Sequence, residues 1–445
     1  MKAQGPAGRG GPLPGTRNEE QGTRGPLPGA TNEERGTRGA AGQGAERRRT
    51  LRSSYLGREI FKNYWQEAHA WKQEGKPVAW CSGNVPVELV HANGVYPLYP
   101  ESYSAMIAAQ KMAREKCEKT EGRGYSMDAC SYFRVNLGLE DEAPQSLPFG
   151  GLPKPDMLLT TRLICMTQYK WWQVLSEMWG VPIHVVDAPF LGGRVLPHQM
   201  EYFVGRLKGL VSFLEEYTGK KMSPDRFLEV LTLSDRAAEL WNEVMDLRKA
   251  RPCPVATREM VGNVFPLVTL LGTKPTVDFF QALRDEIKEM VQQRQGAIPN
   301  ERIRLALDNI PPWHDLAFLT SVEERGAVFV IENYTCYAWG GRIDLSDPWR
   351  GYAQKCLDIW PNYTIEERIQ IYARQAREYH LDGYIFHANR SCKPLSTGQQ
   401  EMQRVLLERV GVPGLLLDGD HADPRGFSPT QAQSQIEAFL EMLSA

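Results

Sequence analysis

The chain has 445 residues, 42% of them apolar and 24% charged, and a formal net charge of −2. That balance excludes a protein held to nucleic acid or to an anionic membrane by a large excess of Lys and Arg. No apolar run approaches the roughly 18 residues of a membrane span, and the amino terminus lacks the charged start and apolar core of a signal peptide, so the expectation is a cytoplasmic protein.

Residues 1–48 are low in complexity. The segment from Gly11 to Arg24 recurs nearly unchanged from Gly25 to Arg38. Glycine, proline and charge dominate it, so it cannot bury enough surface to offset its ordering entropy, and a disordered tail is expected. A length of 445 residues then suggests two folded domains, 49–300 and 301–445.

Tyr55, Ile60, Tyr64 and Trp71 predict a helix over 55–75. Residues 76–81 read as the first strand, and Glu88 opens a short helix after it. One helix is predicted over 103–120. Residues 157–161 form a second strand, 169–179 the helix behind it, and 182–187 a third strand. Residues 199–294 are mostly helical, with breaks near Pro224, Pro252 and Pro254. Further strands are predicted at 302–307, 327–331, 383–386 and 415–417, with helices over 364–380, 399–410 and 431–443. Continuous apolar strands alternating with amphipathic helices indicate an α/β protein whose parallel sheets are covered on both faces. Two such units, with helical insertions, should enclose a cleft.

The eight cysteines are scattered over a long chain, which is not the pattern of a secreted disulfide scaffold. Cys130, Cys165 and Cys392 each sit in a turn beside a strand or helix end. Two readings compete for them: small apolar fillers, or soft thiolate donors converging on one inorganic centre. Cys117 lies mid-helix, Cys253 in a proline-rich break, and Cys336 and Cys356 lack the turn setting; Cys81, at a strand end, stays a candidate. Glu88, His387 and Arg390 lie near predicted strand ends. Glu88 reads either as an acid/base group or as an acid favoured by its helix start. His387 and Arg390 read as holders of an anion or thioester carbonyl, or as a solvated turn. Asp187, Asp420 and His421 also fall at strand ends, and Trp171-Trp172 reads as core. No phosphate-binding Gly-x-x-x-x-Gly-Lys-Ser/Thr loop, dinucleotide Gly-x-Gly-x-x-Gly turn or Gly-x-Ser-x-Gly elbow occurs.

Four stretches carry a family resemblance: Gly124 to Tyr132 around Cys130, Lys154 to Trp171 around Cys165, Asn389 to Gly398 around Cys392, and Asp418-Gly419-Asp420-His421-Ala422-Asp423-Pro424-Arg425. They resemble the 2-hydroxyacyl-CoA dehydratase and benzoyl-CoA reductase family from about Lys76 to the carboxyl terminus. The resemblance implies a two-domain α/β subunit with Rossmann-like sheets and a [4Fe-4S] cluster held by Cys130, Cys165 and Cys392. It implies a homologous second subunit, a separate ATP-hydrolysing iron–sulfur activator and an acyl-CoA substrate. The reaction implied is loss of water from a 2-hydroxyacyl-CoA through a ketyl radical; the alternatives are a benzoyl-CoA-type ring reduction and a non-catalytic scaffold or partner role. The family often carries Pro-Glu-Glu after the first strand. Pro86-Val87-Glu88 departs from that and leaves Glu88 as the only matching carboxylate.

Overall fold

Residues 50–191, 194–336 and 339–445 are described by the computed structural model. The repeat tail, 1–48, lies outside them. Eight strands form two sheets, each of four parallel strands. The first contains β1 (Val78–Cys81), β2 (Tyr96–Leu98), β3 (Met157–Thr161) and β4 (Ile183–Val186), in the order β2-β1-β3-β4. The second contains β5 (Ile303–Asp308), β6 (Ala327–Glu332), β7 (Gly383–Asn389) and β8 (Gly414–Gly419), in the order β6-β5-β7-β8. The two sheets therefore repeat one topology, and the chain reverses its winding direction between β1 and β3 and again between β5 and β7.

Every residue of β1, β3, β5 and β6 is buried, which is why these strands read as unbroken apolar runs rather than alternating ones. Helices Pro197–Thr218, Pro224–Leu247 and Lys274–Gln292 supply Leu207, Leu214, Trp241, Phe279 and Leu283 to one core cluster. That cluster also takes Ala79 and Met157 from the first sheet and Ala306 and Val328 from the second. Both sheets belong to one compact unit, Thr50–Ala445. Arg304 on β5 strengthens the joint: its guanidinium donates to the carbonyl oxygens of Tyr379 (2.6 Å), Ala250 (3.1 Å) and Arg248 (3.2 Å). The unpaired carbonyls at helix ends favour a cation at such a position.

Two local features differ from the sequence expectation. The helix predicted over 103–120 is two, Pro100–Ala109 and Ala113–Gly122. Lys111, with φ of 62°, turns the chain between them. Strand β2 was not expected: three residues are too few to show a period, and Pro97 lies inside it.

Candidate active site

In open parallel sheets, ligands collect outside the carboxyl ends of strands where the winding reverses. Here both reversal points open onto one cavity of about 320 Å³. Gly83 and Asn84 follow β1, Cys165 follows β3, Ile310 and Trp313 follow β5, and Cys392 follows β7; all line it. Glu101 comes from beyond β2, Tyr334 from beyond β6 and His421 from beyond β8. From beyond β4 come Val261, Val264 and Phe265, on the helical segment that precedes β5.

Cys130, Cys165 and Cys392 all face this cavity. Each immediately precedes a helix: Ser131–Leu137, Met166–Trp179 and Lys393–Ser396 respectively. All three are half-buried, whereas Cys81, Cys117, Cys253 and Cys336 are buried. Burial pushes the Cys130 thiol well above its ordinary range, and the neighbouring Cys165 and Cys392 push it further. Burial also raises Cys392 and Cys165, the latter against the backbone N–H groups of Gln168 and Thr167. Three thiols crowded in this way, with no Lys or Arg among the described lining residues, do not ionise together unless a cation joins them.

The loop before Cys130 is anchored from behind. Arg134 donates to Ala129 O (3.0 Å), to Glu121 (2.6 Å) and to Asp423 (2.6 Å). Arg425 bridges the same Glu121 and Asp423. His421 sits between the loops, with Nε2 2.9 Å from Ser131 Oγ and 3.7 Å from Cys130 Sγ, and Nδ1 3.0 Å from Asn389 Oδ1. The motif Asp418 to Arg425 thus braces the Cys130 loop against the second sheet.

Glu101 is the carboxylate of the cavity. Its Oε2 accepts the Gly83 N–H at 2.5 Å, and its Oε1 accepts from the Gln168 side chain. Burial among neutral groups raises its pKa to about 7. Gly83 lets the carboxyl approach the backbone: a Cβ at that position would lie 2.8 Å from Glu101 Oε2 and push the carboxyl aside. Sequence reasoning missed Glu101 because β2, which delivers it, was invisible. Trp313, Tyr334 and Trp339 were missed too: Trp313 and Tyr334 lie in helical turns of three and four residues, too short to show a period, and Trp339 lies in a loop.

The structure places Glu88, His387, Arg390, Asp187 and Asp420 outside the lining. Glu88 is buried and paired with Lys355, with Ser234 Oγ at 2.6 Å from Oε1 and Tyr352 OH at 2.6 Å from Oε2. Burial alone would raise its pKa, but the Lys355 ammonium and the two hydroxyls hold it below the ordinary range. It faces a separate space of about 40 Å³. His387 is fully buried and its Nδ1 meets Ile310 O at 2.6 Å. Arg390 is exposed and forks onto Asp418. Asp187 is half-buried and accepts from Tyr202 at 2.6 Å. Asp420 is buried and accepts the Ala422 and Asp423 N–H groups, both at 2.9 Å. Trp172 packs in the core and donates to Trp80 O at 3.0 Å; Trp171, equally buried, also walls the cavity.

The fold and site define a class: a doubled parallel α/β protein whose two winding reversals open onto one thiol-lined cavity. The chain belongs to the 2-hydroxyacyl-CoA dehydratase and benzoyl-CoA reductase family. Residues 82–443 match the family described as 2-hydroxyglutaryl-CoA dehydratase, D-component. The chain is 30% identical to the (R)-phenyllactyl-CoA dehydratase alpha subunit of Clostridium sporogenes, over 87% of this chain and 95% of that one. It is 29% identical to the (R)-2-hydroxyisocaproyl-CoA dehydratase alpha subunit of Clostridioides difficile, over 86% and 94%. It is 27% identical to one of the subunits of the benzoyl-CoA reductase of Thauera aromatica, over 87% and 93%. Among the described residues no helix is long and apolar enough to cross a membrane.

Proposed function

We infer that this chain is the cluster-binding, catalytic subunit of a 2-hydroxyacyl-CoA dehydratase. The observation that carries the reading is the meeting of Cys130, Cys165 and Cys392, from three separate loops, at one cavity. Among the described residues no three His, Cys, Asp or Glu side chains lie close enough together to hold a single metal ion. A four-iron cluster makes a different demand, since each thiolate binds its own iron and the donors surround a volume rather than meet at a point. Soft donors, a cation-free lining and room for a polynuclear group fit such a cluster.

When bound, the cluster would supply a low-potential electron and one iron free of protein sulfur, open to a substrate oxygen. The chain's own residues do the rest. The aromatic walls exclude water from the reacting thioester. Glu101, near half-protonated at neutral pH, holds a proton on its carboxyl. That proton passes to the departing 2-hydroxyl, which leaves as water; the Glu101 carboxylate so formed takes up the C3 proton, and an enoyl-CoA remains. Gly83 and Gln168 fix the carboxyl for that transfer.

The curated relatives are named as subunits, and a homologous second subunit is proposed here. An ATP-hydrolysing iron–sulfur activator is proposed as electron donor, since this sequence lacks a phosphate loop. A second reading, ring reduction of benzoyl-CoA, draws on the relative from Thauera aromatica.

The test is iron and acid-labile sulfide on protein purified without oxygen, beside Cys130→Ala, Cys165→Ala and Cys392→Ala. About four of each per chain, lost in all three variants, is the expected result. Folded wild-type protein without iron overturns the cluster assignment.

A further inference from the structure

We propose that the cavity selects an uncharged acyl group of aromatic size and rejects acyl groups that end in a carboxylate. This rests on the acyl-CoA reading above and adds which acyl group enters.

The charge argument comes first. Among the described lining residues there is no Lys or Arg, and the only acid is Glu101. His421 is committed on both ring nitrogens, to Ser131 and Cys130 on one side and to Asn389 on the other. A buried carboxylate needs a cation or several donors. A dicarboxylic acyl group would bring a second negative charge into the space that holds Glu101 and find no cation among the described lining residues. The phosphates of coenzyme A meet the same obstacle, so the end of the substrate that enters is the acyl end.

Size and shape come second. Trp313, Tyr334 and Trp339 form a continuous wall: ring centroids lie 6.5 Å apart for Trp313–Tyr334 and 5.3 Å for Tyr334–Trp339, both edge to face. Trp171 and Phe265 close other sides. Two of the polar atoms of these walls are already used. Trp313 Nε1 donates to Tyr132 OH, and Trp171 Nε1 donates to Asn136 Oδ1 at 3.0 Å. Trp313 and Trp171 therefore present carbon, and an aromatic ring packs edge to face against such walls. A methyl-sized acyl group would leave much of this surface without dispersion partners.

The experiment uses the whole chain with its partner subunit and activator, and measures kcat/KM for four thioesters. These are 3-phenyl-2-hydroxypropanoyl-CoA, 2-hydroxy-4-methylpentanoyl-CoA, 2-hydroxypropanoyl-CoA and 2-hydroxyglutaryl-CoA. The phenyl and branched substrates should exceed 2-hydroxyglutaryl-CoA by at least about 100-fold, the range set by a mismatched pocket group, with 2-hydroxypropanoyl-CoA between them. Equal or faster turnover of 2-hydroxyglutaryl-CoA or 2-hydroxypropanoyl-CoA overturns the proposal. A second arm follows quenching of tryptophan fluorescence by 3-phenylpropanoyl-CoA and by glutaryl-CoA, neither of which can lose water. Preferential binding of the phenyl thioester, with no dehydration of any substrate, sinks the dehydratase reading and leaves the selection standing. Dehydration without that preference does the reverse, and equal binding of the two probes overturns the selection directly.

Discussion

Two carboxylates beside the loop after β1, Glu88 buried and Glu101 half-buried, are treated by the protein in opposite ways. Glu88, 2% exposed, is met by an ammonium and two hydroxyls and stays ionised. Glu101 is met by one backbone N–H and one amide and retains its proton up to a pKa of about 7. The first arrangement is a structural tie between the short helix Val87–Ala92 and helices Pro224–Leu247 and Pro348–Leu357. The second leaves a carboxyl able to exchange a proton inside a cavity. Both are withdrawn from solvent, Glu88 fully and Glu101 in part; the charge of the partners also differs, and that decides which group holds the fold and which is free for chemistry.

The strongest way to break the contrast is Lys355→Met. It strands the Glu88 charge in a buried site, and unfolding in denaturant should show a loss of about 3–5 kcal/mol. A Glu88→Leu, Lys355→Met double variant should recover most of that, because replacing both partners of a buried pair by apolar groups is often near neutral. If the double variant is as unstable as the single one, the pair holds the fold by more than charge compensation.

Glu101→Gln tests the other half. It should keep its iron and its stability near neutral pH while kcat falls by at least about 100-fold, the usual contribution of a positioned acid. Gly83→Ala should lower kcat in the same direction, since the new Cβ displaces Glu101. Unchanged kcat in Glu101→Gln would remove Glu101 from the proton transfer.

A smaller effect lies in stability against pH. The Glu101 carboxyl ionises near 4.5 when unfolded and near about 7 when folded. Between those values the folded state holds the extra proton, so this group lowers stability as pH rises from about 4.5 to about 7. Glu101→Gln should flatten that part of the profile; Glu88, held below its ordinary range, acts in the opposite sense at lower pH. An unaltered profile in Glu101→Gln would mean that the carboxyl ionises as readily folded as unfolded.

The smallest change is expected at Arg390. Its ion pair with Asp418 is exposed, at 62% and 58% of side-chain surface. Arg390→Ala should cost at most about 1 kcal/mol, within the range of surface pairs, and leave iron content intact.

The sequence by itself determined the architecture class and most strand positions. A strand buried on both faces needs an unbroken apolar run, as in Met157-Leu158-Leu159 and Ala327-Val328-Phe329-Val330-Ile331, and such runs need no distant partner to be recognised. It also marked Cys130, Cys165 and Cys392 as thiols in turns at element ends. Tertiary structure decided the rest. Strands β1, β3, β5 and β7 end at one cavity only because both sheets reverse their winding toward it, a property of strand order that no local pattern encodes. Glu88 and Glu101 look alike as acids near helix starts. Lys355, 267 positions from Glu88, ionises one, and the absence of any such cation among the described lining residues leaves the other with a raised pKa. A carboxylate's role is set by charges that reach it through space, and residue type and local spacing carry no record of them.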